Sequence, residues 1–531
     1  MKFDSLLNQS METVNHEGEK AYLLTPEMEL YTAVVTTALS DSFYENVDER
    51  INRINSLVSK VSPEFVARLA VYARTKMQLR SVPLLLVVAL ARVHNGDDLV
   101  ARTIERVVNR ADEIMELLNC YALINGATGI KKLGKLSHQI QAGLQRAFNK
   151  FDEYQFAKYN RTSSGIKLRD ALFIVHPKPK DDAQQAIFDK IVSDTLDTPY
   201  TWETELSALG ERNFGSDSER ETAYREKWTE LIRSNKVGYM ALLRNLRNIL
   251  RADVDIEDVK HVCDYLSDEK SVLSSKQLPF RFFSAYRELD NYGKTICNEP
   301  AKFSLATIFG GANRETLKKQ KISTMLASLE SAMKSSAANI EGFGEDTRLL
   351  MACDVSGSMY IPISNRSSVR CYDVGIVLAM LLRLRCEKVV TGIFGDIWKV
   401  LDFPRGEILS AVSEMERHNG EVGYSTNGFK VLRWLVENRV VVDKVMMFTD
   451  CQMWNSMGTG HTFSDYWKQY KTIAPKAELY LFDLVGYGQM PLRVDKGDVY
   501  IISGWSDRIF EVVKAIKEGS SAIDVINSIE L

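Results

Sequence analysis

Apolar positions recur at helical spacing through the first two thirds of the chain and gather into short, strand-length runs in the last third. From about residue 26 to 340 the pattern is helical almost throughout. Ser62-Pro63-Glu64 marks one helix start, with Ser as N-cap and Pro in the first turn. Phe65, Leu69, Ala70, Tyr72 and Ala73 then recur at helical spacing. Ser81-Val82-Pro83 opens another helix, continued by an unbroken apolar run from Leu84 to Leu90. That helix is apolar on most sides, which predicts that neighbours sandwich it. Further helical pairs are predicted near 98–125, 132–150, 165–195, 219–250, 255–268 and 275–290. Paired helices every few tens of residues, with no strand signal, predict an α-solenoid. No crisp period stands out, so the repeats are of a divergent, HEAT-like kind. Residues 1–25 are polar and are expected to form an arm.

Near residue 346 the grammar changes. Strands are predicted at 348–353, 388–394, 398–403, 444–449, 478–484 and 498–503. Helices lie between them near 372–385, 426–438, 464–473 and 506–518. Strands alternating with helices predict a doubly wound parallel sheet. The small residues Ser335-Ser336-Ala337-Ala338 and Gly342-Phe343-Gly344 suit a linker, dividing the chain into domains 1–345 and 346–531. The fold class is therefore multi-domain: a HEAT-like helical solenoid plus an α/β domain.

The α/β part carries the sharpest chemistry. Asp354-Val355-Ser356-Gly357-Ser358 follows the apolar run Leu349–Cys353, so an Asp-x-Ser-x-Ser loop sits at a strand's carboxyl end, where open α/β sheets build ligand sites. Tyr424-Ser425-Thr426-Asn427 opens a helix with a further hydroxyl, and Val445–Thr449 is a second apolar strand ending in Asp450. Asp354, Ser356, Ser358, Thr426 and Asp450 are all hard oxygen donors, suited to one magnesium-like ion that keeps some of its water. The plain alternative is an Asp/Ser-rich turn that caps a helix. Three such segments in order, two of them closing apolar strands, favour the metal. Ser425, next to Thr426, is the residue most easily mistaken for the ligand.

Charge adds a second feature. The chain has 531 residues, with 67 Lys+Arg against 70 Asp+Glu, so the whole molecule favours no nucleic acid and any such partner must meet a local patch. Residues 131–180 supply one: eleven Lys/Arg, including Lys131, Lys132, Lys135, Lys167, Arg169 and Lys178, face only three acids. His138, His176 and the aromatics Tyr154, Phe156 and Tyr159 are interleaved. That mixture suits RNA contacted through both phosphates and bases, against the plainer reading of a solvated helix face. A second set, Arg74, Lys76, Arg80, Arg244, Arg247 and Arg281, lies beside apolar helix segments. It could face a cavity or make interhelical pairs. Seven scattered cysteines without a Cys-x-x-Cys argue against disulfides or a zinc ribbon and for a reducing compartment. With no signal-peptide core and no membrane-length apolar run, a cytoplasmic protein is expected.

The order Asp-x-Ser-x-Ser…Thr…Asp resembles the metal-ion-dependent adhesion site of von Willebrand factor A domains. The whole chain resembles Ro autoantigen-type proteins, which carry the TROVE module, in their bacterial form. The resemblance is carried by Asn15-His16-Glu17-Gly18, Leu79-Arg80-Ser81-Val82-Pro83, Lys167-Leu168-Arg169-Asp170, His176-Pro177-Lys178-Pro179, the stretch Ala241–Asn248, and Leu278-Pro279-Phe280-Arg281-Phe282. It implies that the solenoid closes into a monomeric ring through the von Willebrand A-like domain. It further implies a small structured Y-like noncoding RNA on the outer face and single-stranded 3′ ends of misfolded RNA in a central hole. RNA quality control, with an exoribonuclease as possible partner, follows from the same resemblance. Lys167, Arg169, His176 and Lys178 match the family's Y-RNA face, in the same stretch as Lys131, Lys132 and Lys135. Arg80, Arg244, Arg247 and Arg281, with Arg74, are the candidates for the hole.

No catalytic constellation stands out. Gly310-Gly311-Ala312-Asn313-Arg314 lacks the lysine of a phosphate-binding loop, and neither His-Glu-x-x-His nor Gly-x-Ser-x-Gly occurs. Hydroxyl-rich ligation leaves an electropositive ion that seeks an external acid, whereas nucleases activate water with clustered carboxylates. The expectation is an RNA-binding scaffold and not an enzyme. The alternative is a metal-dependent protein-adhesion adaptor whose helices bind no RNA. A metal-dependent nuclease is the weaker third reading.

Overall fold

The computed structural model describes residues 12–36, 44–126, 136–160, 165–277, 279–298, 312–337, 346–363, 367–384, 386–402, 406–454, 461–494, 497–504, 509–518 and 520–531. Between Pro26 and Ser336 every regular element among them is a helix. The predicted start at Ser62 is a true cap: its hydroxyl accepts the Phe65 N–H at 3.2 Å, ahead of helix Pro63–Thr75. Helix Ser81–Val93 is buried from Val82 through Leu90, as an all-round apolar helix must be. Residues 338–345 of the expected linker, Lys131, Lys132 and Lys135 lie outside the described residues.

Among the described residues nine strands complete the fold: β1 (Glu12–Val14), β2 (Lys20–Leu23), β3 (Arg348–Asp354), β4 (Lys388–Phe394), β5 (Trp398–Val400), β6 (Lys444–Thr449), β7 (Glu478–Asp483), β8 (Gln489–Met490) and β9 (Val499–Ser503). The main sheet has the order β5-β4-β3-β6-β7-β9. Five strands run parallel; β5 is antiparallel to β4 at the edge. The expected all-parallel sheet is thus corrected to a mixed one. Only residues 395–397 join β4 to β5, far too few for a parallel crossover. Both faces of the sheet are buried, and alternate residues serve different cores. Leu349, Met351 and Cys353 join the core shared with the helical half. Leu350 and Ala352 join a second core beneath helices Phe429–Glu437 and Phe463–Ile473. Helix Ile408–Arg417 was not anticipated.

The expected polar arm is also corrected. From residue 12 onward it is a hairpin, β1 against β2, and β2 pairs antiparallel with β8, Tyr22 opposite Met490. Nearby, the loop after β7 receives hydrogen bonds from the first helices: Arg50 Nη2 to the Val485 carbonyl at 2.8 Å, and Arg53 Nη2 to that of Gly486 at 2.6 Å. The far end of the helical half meets the α/β domain as well. Arg287 of helix Pro279–Asn298 grips the fully buried Asp373 of helix Cys371–Arg383 through two bonds, 2.7 and 2.8 Å. Glu330 accepts the first two N–H groups of helix Ile408–Arg417, at 2.7 and 3.0 Å, where a carboxylate complements the helix dipole.

Candidate metal centre and nucleic-acid interface

Strands β3 and β6 are central neighbours, so Asp354 at the end of β3 and Asp450 just after β6 arrive together at the carboxyl end of the sheet. Backbone bonds then tie the three loops together. The Gly357 N–H donates to the Tyr424 carbonyl at 2.8 Å, and the Trp454 N–H to that of Thr426 at 2.9 Å. Asp354, Ser356, Ser358, Thr426 and Asp450 are each at most 4% exposed. Thr449 Oγ1 donates to Asp354 Oδ2 at 2.6 Å, and the Ser356 and Ser358 hydroxyls lie 3.3 Å apart. Ser425 turns to Asp396 instead, its N–H donating to Oδ1 at 3.0 Å. Gly423 permits that clamp: its φ is +72°, and a Cβ there would strike the Asp396 carboxylate.

Both carboxyls are raised above the ordinary carboxylate range. Burial pushes the Asp354 carboxyl up to about 6, against the hydrogen bonds from Thr449 and Ser356. Asp450 is pushed up to about 7, first by burial and then by the charge of Asp354. Asp450 Oδ1 takes the Gln452 N–H at 3.0 Å, while Oδ2 is buried without a partner. An orphaned carboxylate oxygen among packed hydroxyls fits a divalent ion. Sequence reasoning missed Asp483, the end of β7, which is fully buried and raised to about 6 by burial. Its signal was the same one that marked Asp450, a carboxylate closing an apolar strand. Among the described residues no three His, Cys, Asp or Glu form a metal cluster. That outcome follows from a ligand set dominated by hydroxyls.

The basic residues divide into three groups. Lys167, Arg169, His176 and Lys178 are exposed around one short helix, Leu168–Val175. His176 caps it in the left-handed region with φ of 50°. Gln145 Nε2 donates to the His176 carbonyl at 3.1 Å and Asn149 Nδ2 to that of Lys178 at 2.8 Å, which fixes this edge on helix His138–Phe148. Arg169 also lies 5.7 Å from the centre of the exposed Phe173 ring. Arg244, Arg247 and Arg281 line a cavity of about 650 Å3 together with Arg251, which the sequence reading missed. Residues 244, 247 and 251 form a stripe on helix Tyr239–Arg251, and that spacing was visible in the chain. Arg247 pairs with Glu288. Burial and then the like charge of Arg244 lower the Arg281 pKa. Arg74 and Arg80 do not line this cavity. Arg74 pairs with the buried Glu113 at 2.8 Å, and Arg80 with Asp112 and Glu116, the interhelical pairing that the sequence left open.

Helical repeats with an arginine-lined cavity, joined to a von Willebrand A-type sheet with its metal-loop signature, define the two-part architecture of Ro-type RNA-binding proteins. Residues 19–227 and 195–341 match the TROVE domain, and 348–514 match the Ro60 vWA domain. The TROVE match spans more than half the chain, and the chain belongs to that family. The chain is 25% identical over 331 residues to telomerase protein component 1 of Rattus norvegicus, covering 48% of this chain and 12% of that protein. The Mus musculus protein of the same description is 24% identical over 322 residues, with the same coverage. The chain thus spans 12% of the length of these curated relatives. The fold matches the crystal structure of Deinococcus radiodurans RO (RSR) protein with a TM-score of 0.58 and 16% identity, over 93% of this chain and 100% of that one. No helix among the described residues is long and apolar enough to cross a membrane.

Proposed function

We propose that this chain is a cytoplasmic ribonucleoprotein scaffold that holds two kinds of RNA and catalyses nothing. A small structured, Y-like RNA binds the outer edge formed by Lys167, Arg169, His176 and Lys178. Single-stranded 3′ ends of misfolded RNA enter a central hole walled by Arg244, Arg247, Arg251 and Arg281, within a ring that the α/β domain completes. The role is RNA quality control, with an exoribonuclease acting on what the scaffold presents. The observation that carries this reading is the cavity wall. Arg244, Arg247, Arg251 and Arg281 converge on it, with Glu288 paired to Arg247. A row of arginines facing one cavity suits a polyanion such as a nucleic-acid strand.

Asp354, Ser356, Ser358, Thr426 and Asp450 would hold one Mg2+, which supplies a site for an external acidic group. The unpartnered Asp450 Oδ2 in that hydroxyl cluster is also what favours the second reading, a metal-dependent adhesion adaptor without RNA. Purification under nuclease-free conditions, without added nuclease, separates the two. A scaffold carries RNA, read as a raised ratio of absorbance at 260 nm to 280 nm and a band lost on ribonuclease treatment. Protein free of RNA that also fails to shift a 3′-tailed transcript would leave the adaptor.

A further inference from the structure

We infer that Tyr424, Tyr360 and Arg370 form a stacking platform for single-stranded RNA, continuing the path from the arginine-lined cavity to the rim of the metal loops. The inference rests on the RNA-binding reading above.

Tyr424 is 57% exposed, yet its backbone is fixed. Its carbonyl takes the Gly357 N–H at 2.8 Å, and the next residue is clamped by Asp396 at 3.0 Å. The Tyr424 ring meets Tyr360 edge-on with centres 5.6 Å apart, and Tyr360 leans on Tyr372 at 4.9 Å. The Arg370 guanidinium sits 5.0 Å from the Tyr360 ring centre.

Two paired segments, one on either side of residues 364–366, link this cluster to the candidate metal loop and to the arginine cavity. Tyr360 follows the metal-loop residue Ser358 by two positions. Arg370 follows Ser368, which lines the arginine cavity, by two positions. The two arms pair through a Pro362–Arg370 bridge, with Ile363 N–H to the Val369 carbonyl and Cys371 N–H to that of Ile361, both 3.0 Å. Arg287 holds the cavity end by donating to the Ser368 carbonyl at 3.0 Å.

A single exposed tyrosine is ordinary on a protein surface. An exposed ring on a fixed backbone, beside a second ring and a cation that follows a cavity-lining serine by two residues, has the chemistry of a single-strand groove. Bases stack on aromatic faces whatever their sequence, and guanidiniums follow the phosphates. An acidic peptide would also be drawn to the arginines, but it brings no bases to stack on the exposed ring.

The test uses the full-length protein in Mg2+ and a single-stranded RNA carrying 2-aminopurine at successive positions. Tyr424→Ala should weaken binding about tenfold, within the roughly 5- to 150-fold range expected for one stacked base. Tyr424→Phe should bind as the parent does, and the 2-aminopurine quenching at one position should vanish only in the alanine variant. If Arg244→Ala with Arg281→Ala weakens binding while Tyr424→Ala does not, the platform is off the path and the inference falls alone. If neither set weakens binding, the RNA-binding reading falls with it. If Tyr424→Ala instead abolishes Mg2+-dependent binding of a glutamate-rich peptide and spares the RNA, the surface serves a protein.

Discussion

Asp354 and Asp450 are buried among hydroxyls, and their titration would set how an ion bound there responds to pH. Both carboxyls sit above their unfolded value of about 3.9, at about 6 and about 7. Between about pH 4 and 7 the folded chain therefore holds protons that the unfolded chain has lost, and metal-free stability falls as pH rises through that window. A divalent ion must displace the same protons, so its affinity runs the other way and grows with pH. Magnesium at a hundredfold excess over its dissociation constant should stabilise the protein by about 2.7 kcal/mol at pH 7.5. That gain should shrink steadily toward pH 5.5, and Asp354→Ala should show none at either pH. Thermal unfolding with magnesium or with EDTA measures it; equal stabilisation of variant and parent would remove Asp354 from the site. These carboxylates could be found from sequence because each closes an apolar strand. Asp483 does the same and was passed over because no motif includes it.

At the scale of elements, the helical half is fastened to the α/β domain by a shared apolar core and by specific polar contacts. Asp373 is fully buried, and both its oxygens take Arg287. Removing one partner of such a pair strands the other's charge, which costs about 3–5 kcal/mol, whereas replacing both by apolar groups is often neutral. Arg287→Ala should lower urea stability by about that amount, and Arg287→Met with Asp373→Asn, which keeps an acceptor for the Arg370 N–H, should recover part of it. A loss under about 1 kcal/mol, the range of an exposed pair, would show that solvent reaches this joint. Helices and parallel strands were legible because their apolar periods are local. The hairpin β1–β2 was not. Its strands hold three and four residues, and it is completed by Tyr22 pairing with Met490, more than 460 positions away. The antiparallel turn of β5 was hidden for a different reason. A run of apolar residues does not state its direction, and only the brevity of 395–397 decides it.

At the scale of the whole molecule, the two basic surfaces lie on different elements and should act independently. The halves and their order along the chain followed from the change of period near residue 346. Which arginines share a cavity did not, because ion pairs formed between distant helices decide it. Arg74 and Arg80 are taken up by Glu113, Asp112 and Glu116, while Arg244 and Arg281 converge with Arg251. Salt dependence can separate the surfaces. Each phosphate neutralised adds about 0.7 to the slope of log affinity against log salt on a single strand, and about 0.9 on duplex. Changing Lys167, Arg169 and Lys178 to Ala should shallow the slope for a structured small RNA by roughly two to three units and leave a single-stranded 3′ tail largely unaffected. Arg244→Ala with Arg281→Ala should do the reverse, shallowing the tail's slope by about 1.4. His176→Ala should weaken the structured RNA with little change of slope, because the imidazole contributes through hydrogen bonding or stacking. Both RNAs are titrated against both variant sets at several salt concentrations. If the Lys167/Arg169/Lys178 set weakens both RNAs alike and the cavity set weakens neither, the protein has one RNA surface, and the arginine wall serves some other anion.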